Sequence, residues 1–425
     1  MRMRILDILL WVLFVFVMCL LLSTSTPPPT DEVEQVRTYT RQIEFDYVEW
    51  MLNALGVKLQ QGAAGLPGYL DREARKQIVT EYLRVTQQIL EGEYALQRIY
   101  ADASIPNKDS AAASLRAELD RNYERQNQLA PLAEAVLQEQ VTQALSDLGL
   151  TTLGQPLPSV LYHSTPVPNA LIVSRRSVIE QIANISINAD LNVDEQELLE
   201  SRVDKKMNSS SLVVPIGGVG VYPTMVMQTT SLSWLVNTIA HEWTHNYLTS
   251  HPLGVNYDTT PELRTMNETT ASIAGNEVGQ YVIEHFYPEL LTNSPAPLDL
   301  VSFPQDHPNP NDIPRPPFDF RAEMHLTRIT VDALLAEDRI EEAEAYMVGR
   351  QQFFLHNGYL LRKLNQAYFA FYGAYADVPG GAAGEDPVGP AVRALREQSK
   401  SLADFVNRIA WMNSFADLQE AIQTP

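Results

Sequence analysis

"NTIAHEWTHNYLTSH", residues 237–251, holds three of the chain's eight histidines and a glutamate. In the surrounding "SLSWLVNTIAHEWTHNYL", the apolar residues Leu232, Leu235, Val236, Ile239, Trp243 and Tyr247 recur at helical spacing and predict an amphipathic helix. His241 and His245 are four apart, so they stack one above the other, about 40° apart around the axis. They point away from the middle of the apolar stripe. Two neutral imidazoles so placed can both reach one ion, and zinc accepts nitrogen ligands at about 2.0–2.1 Å. Glu242 directly follows the first histidine, so it can address a water at the metal without occupying the metal itself. The pattern is H-E-x-x-H, two ligands and a general base. The plainer reading is a pair of satisfied histidines on a helix face.

A catalytic zinc commonly takes three protein ligands and keeps one position open. His251 competes for the third place, because "HEWTHNYLTSH" has the histidine spacing of H-E-x-x-H-x-x-G-x-x-H. That motif needs glycine where this chain has Leu248, and leucine resists the left-handed turn that brings the third histidine back. Glu268 is the stronger candidate. It lies in "MNETTASIAGNEVGQYVIEHF", residues 266–286, which reads as a second helix. Ala271, Ser272, Ala274, Gly275 and Gly279 would let that helix approach the first closely. Glu277 falls about half a turn round from Glu268, so it can replace Glu268 but not join it. "NET" at Asn267 fits a glycosylation pattern, although a glycan beside a metal cleft would block it.

"HEWTH" followed by "NETTASIAGNE" resembles the gluzincin clan of zinc metallopeptidases. "RKLNQAYFAFYGAYAD" resembles the closing helix of a bacterial group of predicted aminopeptidases, so the likeness covers about residues 210 to 376. The resemblance implies a zincin-like domain holding one Zn²⁺ per chain. It implies His241, His245 and Glu268 as metal ligands and Glu242 as the base. The implied reaction is hydrolysis of a peptide bond, with Glu242 taking the proton of the attacking water and passing it to the leaving amine. Tyr368, Tyr372 and Tyr375, with Asn365 nearby, are candidates to stabilise the oxyanion, and Tyr375 is the preferred one. The chain lacks the serine-aspartate that follows the ligand glutamate in thermolysin-like members. That departure leaves the outer partner of the first histidine unassigned.

The rest of the chain sets the context. It has 425 residues, 45% hydrophobic and 20% charged, which suits a globular protein with a sizeable core. A net charge of −21 argues against nucleic acid as a partner, because no basic patch is available for phosphates. A single cysteine, Cys19, excludes an internal disulfide framework. Arg2 and Arg4 precede an apolar run from Ile5 to Leu22, interrupted by Asp7, and Asp31, Glu32 and Glu34 follow it. As a helix this run reaches about 27 Å, close to the hydrocarbon thickness of a membrane. The charge asymmetry places the N-terminus in the cytoplasm and the remainder outside. A retained anchor is preferred over a cleaved signal peptide, and either one exports the chain.

After a stiff "PPPT" spacer, residues 31–150 show helical periodicity broken at "GAAGLPG" and "ASIPNKD". Antiparallel long helices are expected, capped at Asp71 and Asp109, with no cluster implying chemistry. Residues 156–228 then carry β-branched runs, "NALIVS", "NISINA", "SLVVPIG" and "GVYPTMVMQ", with a helical insert "VDEQELLESRVDKKMN". Pro215 and Pro223 suggest that the last two runs form an edge strand, which could bind a peptide by β-addition. The proline-rich residues 287–318 read as an extended cover over the cleft, and His307, His325 and His356 as surface or packing groups.

The expected fold is α+β and mostly helical. Its parts are an anchor or signal segment (1–30), a helical region (31–150) and a zincin-like domain with C-terminal helices (151–425). Two functional classes follow. One is a membrane-anchored extracytoplasmic zinc peptidase acting on peptides or proteins. The other is a non-catalytic exported scaffold or binding protein with a peptidase-like fold.

Overall fold

Four N-terminal helices, α1 (Glu32–Thr40), α2 (Tyr47–Ala64), α3 (Arg72–Ala101) and α4 (Lys108–Asp147), open the computed structural model. It describes residues 31–64, 69–101, 107–189, 191–291, 318–359, 361–373 and 387–423. Helices α3 and α4 run antiparallel, as expected. Arg75 meets Glu139 at 2.8 Å, Thr86 meets Gln126 at 2.8 Å, and Glu93 meets Tyr123, so position rises in one helix as it falls in the other. The expected cap at Asp71 is present, its Oδ1 accepting from the Ala74 amide at 2.8 Å. At α4 the cap is Asn107, which accepts from the Ser110 amide at 2.9 Å. Asp109 lies instead inside the first turn, where its charge complements the helix dipole.

Six strands follow: β1 (Tyr162–Thr165), β2 (Asn169–Arg175), β3 (Gln181–Ile187), β4 (Ser209–Pro215), β5 (Gly218–Val219) and β6 (Thr224–Met227). The insert between β3 and β4 is α5 (Val193–Met207). They make two small sheets, an antiparallel β3-β2-β4 and a mixed β1-β6-β5. Pro215 closes the edge strand β4, in line with its missing donor. The run containing Pro223 departs from the edge-strand expectation. β6 is the middle strand of its sheet, and Pro223 precedes its first residue, so no ladder bond is lost. The edge beside it is the two-residue β5, formed by glycine and valine that carried no strand signal of their own.

The chain then builds α6 (Leu232–Leu248), the short α7 (Pro252–Val255) and α8 (Pro261–Phe286). Three helices, α9 (Phe320–Ala336), α10 (Ile340–His356) and α11 (Gln366–Tyr372), cover one face of the β3-β2-β4 sheet through Ala170, Ile172, Leu212 and Val214. Three more, α12 (Val388–Gln398), α13 (Leu402–Ile409) and α14 (Phe415–Gln423), join the largest core. That core runs from Val79 and Tyr82 on α3, through α4, α6 and α8, to Leu418. The mostly helical α+β class therefore holds among the described residues, with fourteen α-helices against six short strands. Among them no helix is long and apolar enough to cross a membrane. The anchor segment 1–30 and most of the expected cover, 292–317, lie outside the described residues.

The N-terminal helices are tied to the sheet by a buried charge cluster. Glu134 of α4, fully buried, accepts from Lys58 Nζ of α2 and from the Ser164 amide of β1 at 2.8 Å, and meets His163 Nδ1 at 2.9 Å. Burial alone would raise its pKa. Lys58 and His163 outweigh that and bring the carboxyl down to about 2. A folded value below the unfolded 4.5 stabilises the fold above pH 4.5, and this contribution disappears as pH falls towards 2. Glu134→Leu leaves Lys58 buried without its carboxylate and is expected to cost about 3–5 kcal/mol. Thermal unfolding at neutral pH should show the lowered midpoint. An unchanged midpoint would remove the cluster from the account of stability.

Candidate metal centre

Helix α6 forms where the periodicity predicts it. Ser231 caps it by accepting from the Trp234 amide at 3.3 Å, and Leu232, Leu235, Val236, Ile239 and Trp243 are buried along one side. Helix α8 begins at a Thr260 cap with Pro261 in its first turn and runs back along α6. The antiparallel sense follows from the pairings, since Asn267 meets His245, Ser272 meets His241 and Asn276 meets Asn237. The small residues of α8 do what their size suggests. A Cβ on Gly275 would lie 2.7 Å from the Asn237 carbonyl oxygen and 3.1 Å from His241 Cβ, so only glycine permits this approach.

The two helices bring three side chains to one point. His241 Nε2 and His245 Nε2 are 3.0 Å apart, and Glu268 Oε2 lies 3.4 Å from each. Among the described residues these three form a group able to hold a metal ion. Tetrahedral ligands at about 2.0–2.1 Å from zinc stand about 3.3 Å from one another, so the spacing fits. A second observation agrees: Glu268 Oε2 is buried and has no hydrogen-bond partner. Such an oxygen is costly unless a cation completes it. Two nitrogens and one carboxylate oxygen are a donor set that zinc and iron(II) both accept.

Each of the three side chains is also held from behind. Asn267 Oδ1 lies 2.8 Å from His245 Nδ1, Ser272 Oγ lies 3.4 Å from His241 Nδ1, and the Tyr257 hydroxyl donates to Glu268 Oε1. Ser272 is thus one neighbour of the first histidine's outer nitrogen. Asn267 is buried, and its amide nitrogen donates to the Leu253 carbonyl at 3.3 Å, so the sequon is closed to a glycan in this fold. Asn267→Leu is expected to weaken metal binding at this group by about 10–100-fold, because His245 loses the partner that orients it. Competition with a chromophoric chelator measures this, and full affinity in the variant would make Asn267 a packing residue only.

Glu242 is buried beside this group without joining it. Its carboxylate lies against β5: a Cβ on Gly218 would come 2.6 Å from Glu242 Oε1, and one on Gly220 would come 3.0 Å from His245 Cβ. Burial pushes the Glu242 carboxyl above the usual range, against the pull of His241 and His245. Burial would lower His245, but Glu268 and Asn267 overcome it and carry the imidazole up to about 9. Burial would raise Glu268, and the two histidines hold it well below the ordinary value. His245 and Glu268 thus stabilise each other's charge, while burial and the neighbouring Glu268 both disfavour the charge on Glu242, in a cleft of about 310 Å³.

The alternative ligands lie elsewhere. His251 sits at the start of α7, with Nδ1 2.9 Å from the Tyr247 carbonyl and its ring against Tyr247 and Trp411. Glu277 forms a two-pronged pair with Arg396 of α12 at 2.6 and 2.8 Å. Of the oxyanion candidates, Tyr368 and Tyr372 pack in the core beneath α9–α11, and Asn365 caps α11 through the Tyr368 amide. Tyr375 and His307 lie outside the described residues. His356 faces its own helix, Nδ1 against the Gln352 carbonyl at 2.6 Å. The cleft also has walls that sequence reading missed: Tyr47, Asn184, Ser186, Tyr257, Arg264 and Phe371. Arg264 stands one turn before Glu268 and donates to the Ala370 carbonyl at 2.6 Å. Compared with protein-family models, with curated proteins and with solved structures, the chain matches none.

Proposed function

We propose that this chain is a zinc-dependent peptidase, exported and held to the membrane by the apolar segment of residues 5–22. The observation that carries the reading is the convergence of His241 Nε2, His245 Nε2 and the unpartnered Glu268 Oε2, with Glu242 next to them. Zinc, when bound, supplies a Lewis acid for the scissile carbonyl and lowers the pKa of water. Glu242 performs the proton work. Buried beside the three-residue group, it is placed to take a proton from attacking water and return it to the departing amine. The edge strand β5 provides a rail for an extended peptide by β-addition, and Gly218 within it and Gly220 just after it let the chain lie directly on Glu242 and His245.

The reading is tested by purifying the full chain in detergent, counting zinc and presenting a peptide library. One zinc per chain with chelator-sensitive cleavage is the expected outcome. A folded protein without zinc, inert in the library, would point to the exported scaffold instead.

A further inference from the structure

Among the described residues, the N-terminal helical region lines the cleft through Tyr47 alone. Residues 43–47 attach to the outer edge of β3: Glu44 forms an antiparallel bridge with Ile187, the Phe45 amide donates to the Ser186 carbonyl at 3.0 Å, and the Asn188 amide donates to the Ile43 carbonyl at 2.8 Å. Asp46 then starts α2 by accepting from the amides of Val48 and Glu49, both at 3.0 Å. Tyr47 is therefore fixed by the backbone pairing of residues 43–45 before it and by the Asp46 cap of the helix it begins. Its hydroxyl donates to Ser186 Oγ at 2.7 Å, and its ring meets Phe45 edge-on at 5.0 Å.

The face of β3 at this place is unusual for its sheet. Ala183, Ile185 and Ile187 point into the core shared with α1 and α5. On the opposite face the neighbouring strands are apolar, with Ala170 and Ile172 of β2 and Leu212 and Val214 of β4 packed beneath α9–α11. Asn184 and Ser186 interrupt that apolar face, paired with Ile172 and Ala170. Both line the cleft that holds His241, Glu242, His245 and Glu268, and so does Tyr47. Among the described residues no hydrogen bond engages the Asn184 carboxamide, which offers an acceptor and two donors. Ser186 accepts from Tyr47 and keeps its own proton to give. A solvated sheet edge explains an exposed asparagine, but not a tyrosine brought from another region to order its neighbour.

Resting on the zinc-peptidase reading, we infer that Asn184 and Ser186, with Tyr47 holding Ser186, form a subsite for a main-chain peptide group of the substrate in the cleft that also holds Glu242. A carboxamide beside a hydroxyl matches one peptide unit, which carries one carbonyl acceptor and one amide donor. Asn184 and Ser186 touch the substrate, and Tyr47 is a positioning residue. The Glu242 charge reaches Tyr47, whose phenol is pushed up first by burial and further by that carboxylate, with Ser186 opposing. The first helices are thus part of the substrate site as well as a support.

Two hydroxamates test this on the zinc-loaded full chain in detergent. Acetohydroxamate chelates the metal and carries no further peptide group, whereas a dipeptidyl hydroxamate chelates and also presents peptide units. Asn184→Leu and Tyr47→Phe are expected to weaken the dipeptidyl compound by about five- to tenfold, the worth of one lost hydrogen bond. Zinc content and acetohydroxamate affinity should stay at wild-type levels. Should Tyr47→Phe fail to fold, Asn184→Leu at an exposed position carries the test. Equal dipeptidyl affinity in wild type and Asn184→Leu overturns the subsite and leaves the zinc site standing. So does a wild type that binds both compounds equally. A wild-type chain that takes up no zinc fails at the earlier step and overturns both readings.

Discussion

Glu242→Gln is expected to retain a full complement of zinc and to lose peptide hydrolysis by about 10²–10⁴-fold, the usual worth of a positioned general base. The substitution keeps the shape of the side chain, which matters because Gly218 and Gly220 leave little space beside it. It removes the ability to take up a proton. Glu242 stands outside the three-residue ligand group, so the metal has no reason to leave with it. Cleavage of a fluorogenic peptide mixture, alongside elemental analysis for zinc, separates the two effects. An active Glu242→Gln protein would contradict the base assignment, and one that has lost zinc would mean that the two roles are not separate.

His241→Ala is expected to act on the other half of the site. A four-ligand zinc site is worth about 10–16 kcal/mol in total, so one ligand accounts for about 3–4 kcal/mol, or roughly 10²–10³-fold in affinity. The loss should exceed that of Asn267→Leu, since a ligand disappears rather than its support. Zinc should also raise the thermal midpoint of the wild type in a concentration-dependent way, and do so far less in the variant. Equal zinc affinity in His241→Ala and wild type would place the ion elsewhere.

The sequence made the first half of this site legible because its geometry is local. Four-residue spacing on a helix puts His241 and His245 together whatever the rest of the fold does. Glu268 was readable one step further away, because glycines and alanines on the second helix announce close packing, and Gly275 sits against Asn237 and His241 accordingly. Residues whose role depends on the path of a loop carried no such signal. Tyr257 reaches Glu268 from the connection between α7 and α8, where no periodicity describes the chain. Tyr47 enters the cleft only because residues 43–45 pair with β3, a long-range contact that helical patterning in α2 does not reveal. Pro223 does not mark an edge strand for a related reason: it stands one residue before β6 begins, where the ladder asks no donor of it. Asn107 displaced Asp109 as a cap because both residue types cap well and the sequence does not say which comes first in the turn.

Anomalous diffraction at the zinc edge, from crystals of the full chain grown with the metal, bears most directly on the site. The account predicts one strong peak within about 2.0–2.2 Å of His241 Nε2, His245 Nε2 and Glu268 Oε2. A peak held by other residues, or density at this point from a water alone, would contradict it.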